Sequence, residues 1–405
     1  MHRPRLPVPP ALRGAEPHSF AEHTILQRLP QIACRLIAEE ALPASALASL
    51  EALRTEIPHH PLRLLVDPLA PDLALWQDYL TPYLGQDWLQ VPWFVAETYF
   101  YRRIAASVQF FQTGLDPFAG EKQLSLRTTV TRSRALAAQA WHLQAGGWQE
   151  ASLRHLLLLA LWGNQADLSL WAPDDVNQPQ HADAESQEAH LLVDDAAAVA
   201  ASLTAAPAPR RLDILVDNAG FELLGDLCLV DYCLGSGHIQ QVCLHLKRHP
   251  TFVSDAMAAD VHATIAFLAA DHDPALQTLG ARLAAHLAAG RLQLHSHLFW
   301  TSPLPLWHLP AEARADLAGA ALVISKGDAN YRRALGDAHW PFTTPLQDVV
   351  SYVPAPIVFL RTCKAEVMAG LPAARLHDVA QRDPAWLVNG KWGVIQLVPD
   401  ASPPA

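Results

Sequence analysis

Charged and amide residues recur at the ends of apolar segments in the C-terminal half of this 405-residue chain. Asp217 and Asn218 follow the segment 212–216, and Asp255 comes after the segment 239–246. Carboxylates held close together repel one another, and a bound divalent cation relieves that repulsion. Oxygen donors favour a hard ion such as Mg²⁺ or Mn²⁺. These residues therefore predict a divalent-metal site, while each of them alone also suits the N-cap of a helix.

Cations follow two later apolar segments. The run Lys326–Arg332 comes after the segment 322–325, and the run Arg361–Lys364 comes after the segment 357–360. Lysine and arginine suit a phosphoryl group better than a neutral substrate. Together with a metal, they predict hydrolysis of a phosphate ester, in which the metal lowers the pKa of a bound water and the cations stabilise the developing charge.

Other chemistries find less support in the same residues. Asp217 follows a predicted strand, as does the nucleophile of phosphatases that form an aspartyl-phosphate, but the D-x-D spacing of that class is absent because residue 219 is Ala. The glycine-containing turn 235–237 is too short for a dinucleotide fingerprint or a Walker A loop. Metal-activated water therefore remains the favoured nucleophile, with a covalent intermediate as the alternative.

Histidine and cysteine patterns do not favour a zinc site. The spacings in 245–249 and 295–297 could bind zinc, but no cysteine pair accompanies them, so a structural or surface role is expected for these histidines. The five cysteines form no C-x-x-C pair and are expected to be buried free thiols: Cys34, Cys228, Cys233, Cys243 and Cys363.

The polar runs need a framework that brings them together, and short β-rich segments alternating with helical ones provide it. The predicted strands are Leu212–Val216, Ile239–Leu246, Leu292–His295, Leu322–Ser325, Ile357–Leu360 and Val394–Val398. The predicted helices between them are Leu223–Leu234, Met257–Ala270, Pro274–Ala289 and Pro310–Ala318. This alternation predicts an α/β fold, a doubly wound and mostly parallel sheet in an α-β-α sandwich. Ligands bind beyond the carboxyl ends of such strands, where the polar runs lie.

The earlier part of the chain has a different pattern. From about residue 22 to residue 161, apolar residues recur at three- and four-residue spacing, which is typical of helices. A short proline-containing linker, 205–211, precedes the first predicted strand. We therefore predict an N-terminal, mostly helical domain over residues 1–204 and an α/β metal- and phosphate-binding domain over residues 205–405.

Composition restricts the partners. Hydrophobic residues make up 51% of the chain and the net charge is −11, so a large core is expected and a nucleic-acid or anionic membrane surface is not. The apolar runs are too short to span a bilayer, and no apolar signal-peptide region follows the N-terminal charges. We expect a cytoplasmic protein that acts on a small phosphorylated metabolite, and the sequence assigns no oligomeric state.

The same runs, in order along nearly the whole chain, resemble those of the damage-control phosphatase family, in particular its acidic-residue methyltransferase-like branch. The matching segments are Thr24–Pro30, Glu97–Ile104, Leu161–Ser169, Val216–Glu222 with Asp226 and Leu227, Phe252–Asp255, Phe299–Pro303, Lys326–Arg332 and Leu360–Ala365. Departures from the family pattern are minor, because Ala329 and Glu366 replace residues that are not proposed ligands.

The resemblance implies roles for individual residues. A divalent metal would be bound by Asp217, Asn218 and Asp255, with Mn²⁺ preferred and Mg²⁺, Co²⁺ or Ni²⁺ as alternatives. Asp217, Asp255 and Lys364 would be catalytic. Substrate contacts would come from Asp328, Asn330, Tyr331, Arg332 and Lys364, and Glu222 corresponds to a further site position that the family assigns to a disputed methyltransferase cofactor. From its place after a predicted strand, Lys326 is also predicted to bind the substrate.

The implied activity is metal-dependent removal of phosphate from sugar phosphates or damaged phosphometabolites. Two alternatives remain: a protein carboxyl methyltransferase that uses adenosylmethionine, and a non-catalytic phosphometabolite-binding protein. A methyltransferase needs a glycine-rich turn after its first strand, whereas Asp217 and Asn218 occupy that turn and only Gly220 remains. Asn164 and Asp167 interrupt a helix and are predicted to link the helical domain to the site, with helix capping as the alternative.

Overall fold

A seven-stranded sheet forms the centre of the molecule in the computed structural model, which describes residues 2–38, 42–163 and 189–399. The strand order is β1-β7-β6-β5-β2-β3-β4, and every neighbouring pair is parallel except β6 and β7. The strands are β1 Leu191–Asp194, β2 Arg211–Leu215, β3 Gln241–Leu246, β4 Leu292–Ser296, β5 Leu322–Lys326, β6 Ile357–Thr362 and β7 Gly393–Val398. The predicted α/β class with a mostly parallel sheet is confirmed.

Helices surround this sheet. In chain order within the described residues, the α-helices are α1 Phe20–His23, α2 Leu29–Ala38, α3 Ala44–Glu56, α4 Leu73–Leu80, α5 Trp93–Ser107, α6 Phe110–Thr113, α7 Ala119–Thr128, α8 Val130–Ala145, α9 Glu150–Trp162, α10 Ala196–Ala205, α11 Phe221–Gly235, α12 Ala258–Ala270, α13 Pro274–Ala288, α14 Ala311–Leu317, α15 Gly327–Leu335, α16 Leu346–Val349 and α17 Ala373–Arg382. A π-helical turn, Thr24–Arg28, joins α1 to α2, and short 3₁₀ turns cover Thr81–Tyr83, Leu298–Thr301 and Leu306–His308. In this part of the chain no helix combines the length and the apolar character that a bilayer crossing requires.

The two faces of the sheet carry separate hydrophobic cores. Alternate residues of β5 show the division, because Val323 lies in the core with α2, α3 and α5, whereas Ile324 lies in the core with α8 to α13. Central strands covered on both sides are apolar on both faces, which is why they appear in the sequence as continuous apolar runs. The six predicted strands are present, with ends that differ from the prediction by at most two residues.

Strand β1 was not predicted, because four residues after a long polar stretch carry too little pattern. It pairs with β7, so the sheet takes one strand from the N-terminal side of the predicted boundary at 204/205. Helices α8 and α9 also lie before that boundary and pack on the same core as α11. The N-terminal segment thus contributes layers to both faces of the sheet.

The strand order reverses beside β2. Strand β3 lies on one side of β2, and β5, which comes later in the chain, lies on the other. Connections leaving neighbouring parallel strands in opposite directions open a crevice at the carboxyl ends of those strands. The crevice expected from the sequence therefore lies between the ends of β2 and β5.

Helix α5 contributes to the wall of this crevice and is held by a buried charge cluster. Arg102 is fully buried, and its guanidinium donates to Asp72 through two nitrogens at 2.8 Å and to Asp67 at 2.8 Å. Because both carboxylates are also buried, they depend on this one side chain for compensation.

Replacing Arg102 by Met should destabilise the fold by about 3–5 kcal/mol, because two buried carboxylates lose their cation while most of the side-chain volume remains. Urea denaturation measures the loss. Arg54→Ala is the matched control, since Arg54 pairs with Glu51 on the surface and its removal should lower stability far less. Equal losses in the two variants would contradict the structural role of Arg102.

Candidate active site

Backbone pairing brings the predicted metal ligands together. Asn218 and Asp255 form an isolated antiparallel bridge, and the backbone N–H of Ala256 donates to the carbonyl of Asp217 at 2.8 Å. Asp217, Asn218 and Asp255 are all buried and all line the same cleft. Gly220 and Met257 are the N-caps of the helices that follow, so none of the three ligand candidates has the capping role that was the alternative.

The loop before Asp255 has an unusual backbone. Phe252 and Val253 have φ angles of +49° and +66°, in the left-handed region that a β-branched residue rarely adopts. Such conformations persist where the surrounding structure determines them, and they cluster at functional sites. Here the next residue, Ser254, donates its hydroxyl to the side-chain oxygen of Asn218 at 2.6 Å. The strained loop thus fixes the position of Asn218 relative to Asp255.

Glu222 orients Asn218 from behind the cleft. The side-chain amide of Asn218 donates to Glu222 at 2.7 Å and to Asp217 at 3.1 Å, which defines where its oxygen points. Burial and the nearby charge of Asp226 raise the pKa of Glu222, although the Lys326 ammonium opposes them. Glu222 therefore positions Asn218, a candidate metal ligand, and is not among the described residues that line the cleft.

Glycine is required where β5 turns into α15. Gly327 has a φ of +80°, and a Cβ added to it would lie 1.8 Å from a carboxylate oxygen of Asp217. A side chain at residue 327 would therefore overlap with the carboxylate of Asp217. The close approach of the β5 end to the β2 end follows from their pairing in the sheet.

The three candidate ligands bring two buried carboxylates close together. Burial, followed by the charges of Glu222 and Asp255, raises the pKa of Asp217 well above its ordinary value, and Lys247 and Lys364 only reduce that effect. Two buried carboxylates and an amide oxygen form a set of hard donors that fits a divalent cation such as Mn²⁺ or Mg²⁺. On this test, the residues present suit the metal that the sequence predicts.

A cleft opens above these three residues. Its lining combines three cations, four carboxylates, an amide and several apolar residues: Arg28, Arg332, Lys364, Glu97, Asp217, Asp255, Asp328, Asn218, Phe20, Trp93, Phe252 and Ala329.

Three of the predicted substrate-binding residues reach this cleft. Lys364 lines it directly. Asp328 lines it too, and its carboxylate accepts from the Arg361 guanidinium at 2.7 Å and from the Lys364 backbone at 3.3 Å. Arg332 lies against the ring of Trp93, with 3.5 Å between its guanidinium carbon and the ring centroid. It also pairs with Glu97 at 2.6 Å, so its charge is already largely matched.

Three others point elsewhere in the described structure. Lys326 is 1% exposed, and its ammonium donates to Asp226 at 2.6 Å and to Glu222 at 3.2 Å. Burial would lower the pKa of Lys326, but the charges of Asp226 and Glu222 outweigh it and raise that pKa above its ordinary value. Asn330 donates to backbone carbonyls at the end of β2, and Tyr331 donates to Gln396 at 3.1 Å. These side chains hold the framework under the cleft, which a sequence pattern at a strand end does not distinguish from a substrate contact.

Several residues of the site were missed in the sequence. The ammonium of Lys247 lies 2.9 Å from a carboxylate oxygen of Asp255. Its position directly after a predicted strand, like that of Lys326, was the signal that could have identified it. Arg28 ends a π-helical turn and lies in the matching segment Thr24–Pro30, but no role was predicted for it. Glu97 begins the matching segment Glu97–Ile104 and was likewise given no role, and Trp93 comes from the same helix, α5. Asn164 and Asp167, predicted to link the helical domain to the site, lie outside the described residues.

Comparison with known proteins finds a matching family and similar full-length proteins. The family model described as "Damage-control phosphatase ARMT1-like domain" matches residues 19–379. Proteins named damage-control phosphatase ARMT1 are similar over most of their length: that of Danio rerio is 30% identical over 96% of this chain and 97% of its own, and that of Mus musculus is 31% identical over 96% and 98%. That of Xenopus tropicalis is 32% identical over 94% and 96%.

A solved structure is also similar, that of a DUF89 family protein from Pyrococcus horikoshii, with 16% identity, 92% of this chain and 97% of the other covered, and a TM-score of 0.47. The family match and the full-length relatives show that the chain belongs to the damage-control phosphatase ARMT1-like family. The resemblance read from the sequence motifs is confirmed.

Gly327→Ala should weaken Mn²⁺ binding by about tenfold or more, because the new methyl displaces the Asp217 carboxylate. Titration with Mn²⁺ measures the affinity. Gly290→Ala is the control, since Gly290 has a similar φ of +67° but open space around it, so that variant has the backbone strain without the clash. If Gly327→Ala binds Mn²⁺ as tightly as the wild type does, the close approach to Asp217 has no bearing on the metal site.

Proposed function

We propose that this protein is a metal-dependent phosphoric monoester hydrolase that acts on small phosphorylated metabolites such as sugar phosphates. The observation that carries the proposal is the joining, in one cleft, of two buried carboxylates and an amide oxygen with cations on the same lining. Membership of the damage-control phosphatase ARMT1-like family supports it.

Asp217, Asn218 and Asp255 would hold the divalent cation, with Mn²⁺ as the preferred ion. When bound, the cation polarises a phosphoryl oxygen and lowers the pKa of a water molecule that can attack phosphorus. The chain supplies the rest: Glu222 and Ser254 fix the side-chain amide of Asn218, as the hydrogen bonds at 2.7 Å and 2.6 Å indicate.

Lys364 is proposed to bind the phosphate. A protein of net charge −11 repels a phosphate dianion unless local cations and the metal offset the field. In the cleft, Arg332 is shared with Glu97, and Lys364 is held beside Asp328 by its own backbone. The interaction between the Lys364 ammonium and the phosphate would strengthen as negative charge develops on the phosphoryl oxygens. Arg28, on the same lining, is proposed as a second cation for the substrate.

The remaining predicted substrate residues are reassigned to positioning. Lys326 would hold Glu222, which in turn holds Asn218. Asn330 would tie α15 to the end of β2 through the backbone carbonyls of Leu215 and Val216, and its amide also donates to the carbonyl of Lys326 at the end of β5. These contacts keep the ligands in place without touching a substrate.

One observation favours the hydrolase over the methyltransferase alternative. The turn after β2 packs against α7, because a Cβ added to Gly220 would lie 2.5 Å from the hydroxyl of Ser125. A cofactor bound at this turn would need that space. The proposal therefore retains phosphate-ester hydrolysis, with a covalent Asp217 intermediate as a chemical variant of the same function.

Hydrolysis of a chromogenic phosphate monoester should require Mn²⁺ and should stop when a chelator is added. Asp255→Ala should abolish this activity, because it removes a ligand carboxylate, and it should also lower stability, because buried Lys247 loses its partner. Steady-state kinetics and circular dichroism measure the two effects. Asp378→Ala, which removes a surface carboxylate on α17, should keep full activity. Full activity in Asp255→Ala would remove Asp255 from the site.

Lys364→Ala should lower kcat/KM by about 10²- to 10³-fold, because the lost ammonium interacts most strongly with the charge of the transition state. Mn²⁺ affinity should hold or rise, since a neighbouring positive charge is gone. Lys391→Ala, at an exposed lysine on the same segment of chain, is the control. Unchanged kinetics in Lys364→Ala, or loss of Mn²⁺ from a folded variant, would move the phosphate to Arg28 and Arg332.

A further inference from the structure

A second group of metal-ligating side chains lies outside the cleft, near the β4 edge of the sheet. His245 on β3 and His295 on β4 are direct partners in the parallel ladder, so their side chains leave the same face. Asp316 on α14 covers that face. One possible donor atom from each of the three residues lies within 4.8 Å of the other two. None of the three belongs to the described lining of the cleft.

Neighbouring side chains orient these residues through hydrogen bonds, as is common for metal ligands. The carboxylate of Asp213 accepts from Nε2 of His245 at 2.9 Å, so Nδ1 is the nitrogen that keeps a lone pair. A carboxylate bound to the second nitrogen of a histidine is the common support of metal-ligating imidazoles. Arg211 bridges the group, donating to Asp213 at 2.7 Å and to Oδ1 of Asp316 at 2.9 Å. The other oxygen of Asp316, Oδ2, faces His295 at 3.1 Å.

Charge and access both suit a cation. Two carboxylates, Asp213 and Asp316, share one guanidinium, so the group keeps an excess negative charge while its histidines are neutral. The side chain of His245 is 5% exposed, whereas those of His295 and Asp316 are 37% and 32% exposed. A metal ion can therefore reach the group from solvent and contact a buried ligand.

We propose that His245, His295 and Asp316 form a zinc-binding site separate from the catalytic cleft. Two imidazoles and one carboxylate suit Zn²⁺, which takes nitrogen and oxygen donors in tetrahedral geometry with water in the fourth position. The all-oxygen group at Asp217 favours harder ions, so the two sites select different metals. The histidine pairs seen within the sequence did not reveal this group, because its members come from two strands and a helix.

Zinc at this site would stabilise the part of the sheet that carries the catalytic ligands. The carbonyl of His245 accepts from the N–H of Val216 at 3.1 Å, directly before Asp217. Two residues after His245, Lys247 pairs with Asp255. An ion bound to His245, His295 and Asp316 would link β3, β4 and α14, so its occupancy should raise thermal stability.

Zinc binding to the full chain tests the proposal. Metal-free protein in excess Mg²⁺, which occupies the cleft, is titrated with Zn²⁺ in competition with a chromophoric chelator. His295→Ala should bind one equivalent of Zn²⁺ fewer than the wild type does. Zn²⁺ should also no longer raise the melting temperature of this variant. His297→Ala is the matched control, because it removes a neighbouring surface histidine that pairs with Glu312 at 3.3 Å but is not in the group. It should keep both the equivalent and the temperature shift.

Two further variants keep the outcome decisive. Asp316→Asn should also lose the equivalent, which settles the result if His295→Ala folds poorly. Asp213→Asn should keep the equivalent and bind Zn²⁺ about 10- to 100-fold more weakly, as expected for the support of a ligand. The proposal is overturned if His295→Ala and Asp316→Asn bind as many equivalents as His297→Ala does. It is equally overturned if the bound Zn²⁺ is lost only in Asp255→Ala.

Discussion

Buried carboxylates at the carboxyl edge of the sheet must be matched by positive charge, and this constraint decides the arrangement of the site. A buried charge without a partner is strongly destabilising, so each carboxylate needs a cation within reach. Lys326 serves Glu222 and Asp226, and Lys247 serves Asp255. Burial, followed by the charges of Glu222 and Asp255, raises the pKa of Asp217 well above its ordinary value. In the proposed function a divalent ion would compensate these carboxylates, and the cleft could then accept an anionic phosphate.

The framework makes this concentration of charge possible. The candidate ligands follow the neighbouring strands β2 and β3, beside the point where the strand order reverses, and two hydrophobic cores fix those strands from both faces. Close approach needs special backbone at two positions: Gly327, which has no room for a side chain, and the left-handed pair Phe252 and Val253. Strain of this kind persists because the packing around it is rigid.

The sequence was sufficient for the strands and for the grouping of Asp217, Asn218 and Asp255, but not for the directions of the lysines. Apolar runs alternating with helical ones identify a parallel sheet, and the ends of its strands must meet at one edge, so Asp217, Asn218 and Asp255 could be grouped. Whether a lysine at such an end turns toward the cleft or beneath it depends on partners that are remote in sequence. Lys326 and Lys364 both follow an apolar run in the sequence. In the structure Lys326 pairs with Asp226 beneath the cleft, whereas Lys364 lines the cleft.

The central claim is that one divalent ion and one phosphate meet in this cleft, and anomalous X-ray scattering tests it most directly. Crystals soaked with Mn²⁺ and inorganic phosphate would be measured near the manganese absorption edge. We predict a single strong anomalous peak among the side-chain oxygens of Asp217, Asn218 and Asp255, with phosphate density between that peak and Lys364. A cleft without such a peak, in crystals whose dissolved protein hydrolyses phosphate esters with Mn²⁺, would contradict it.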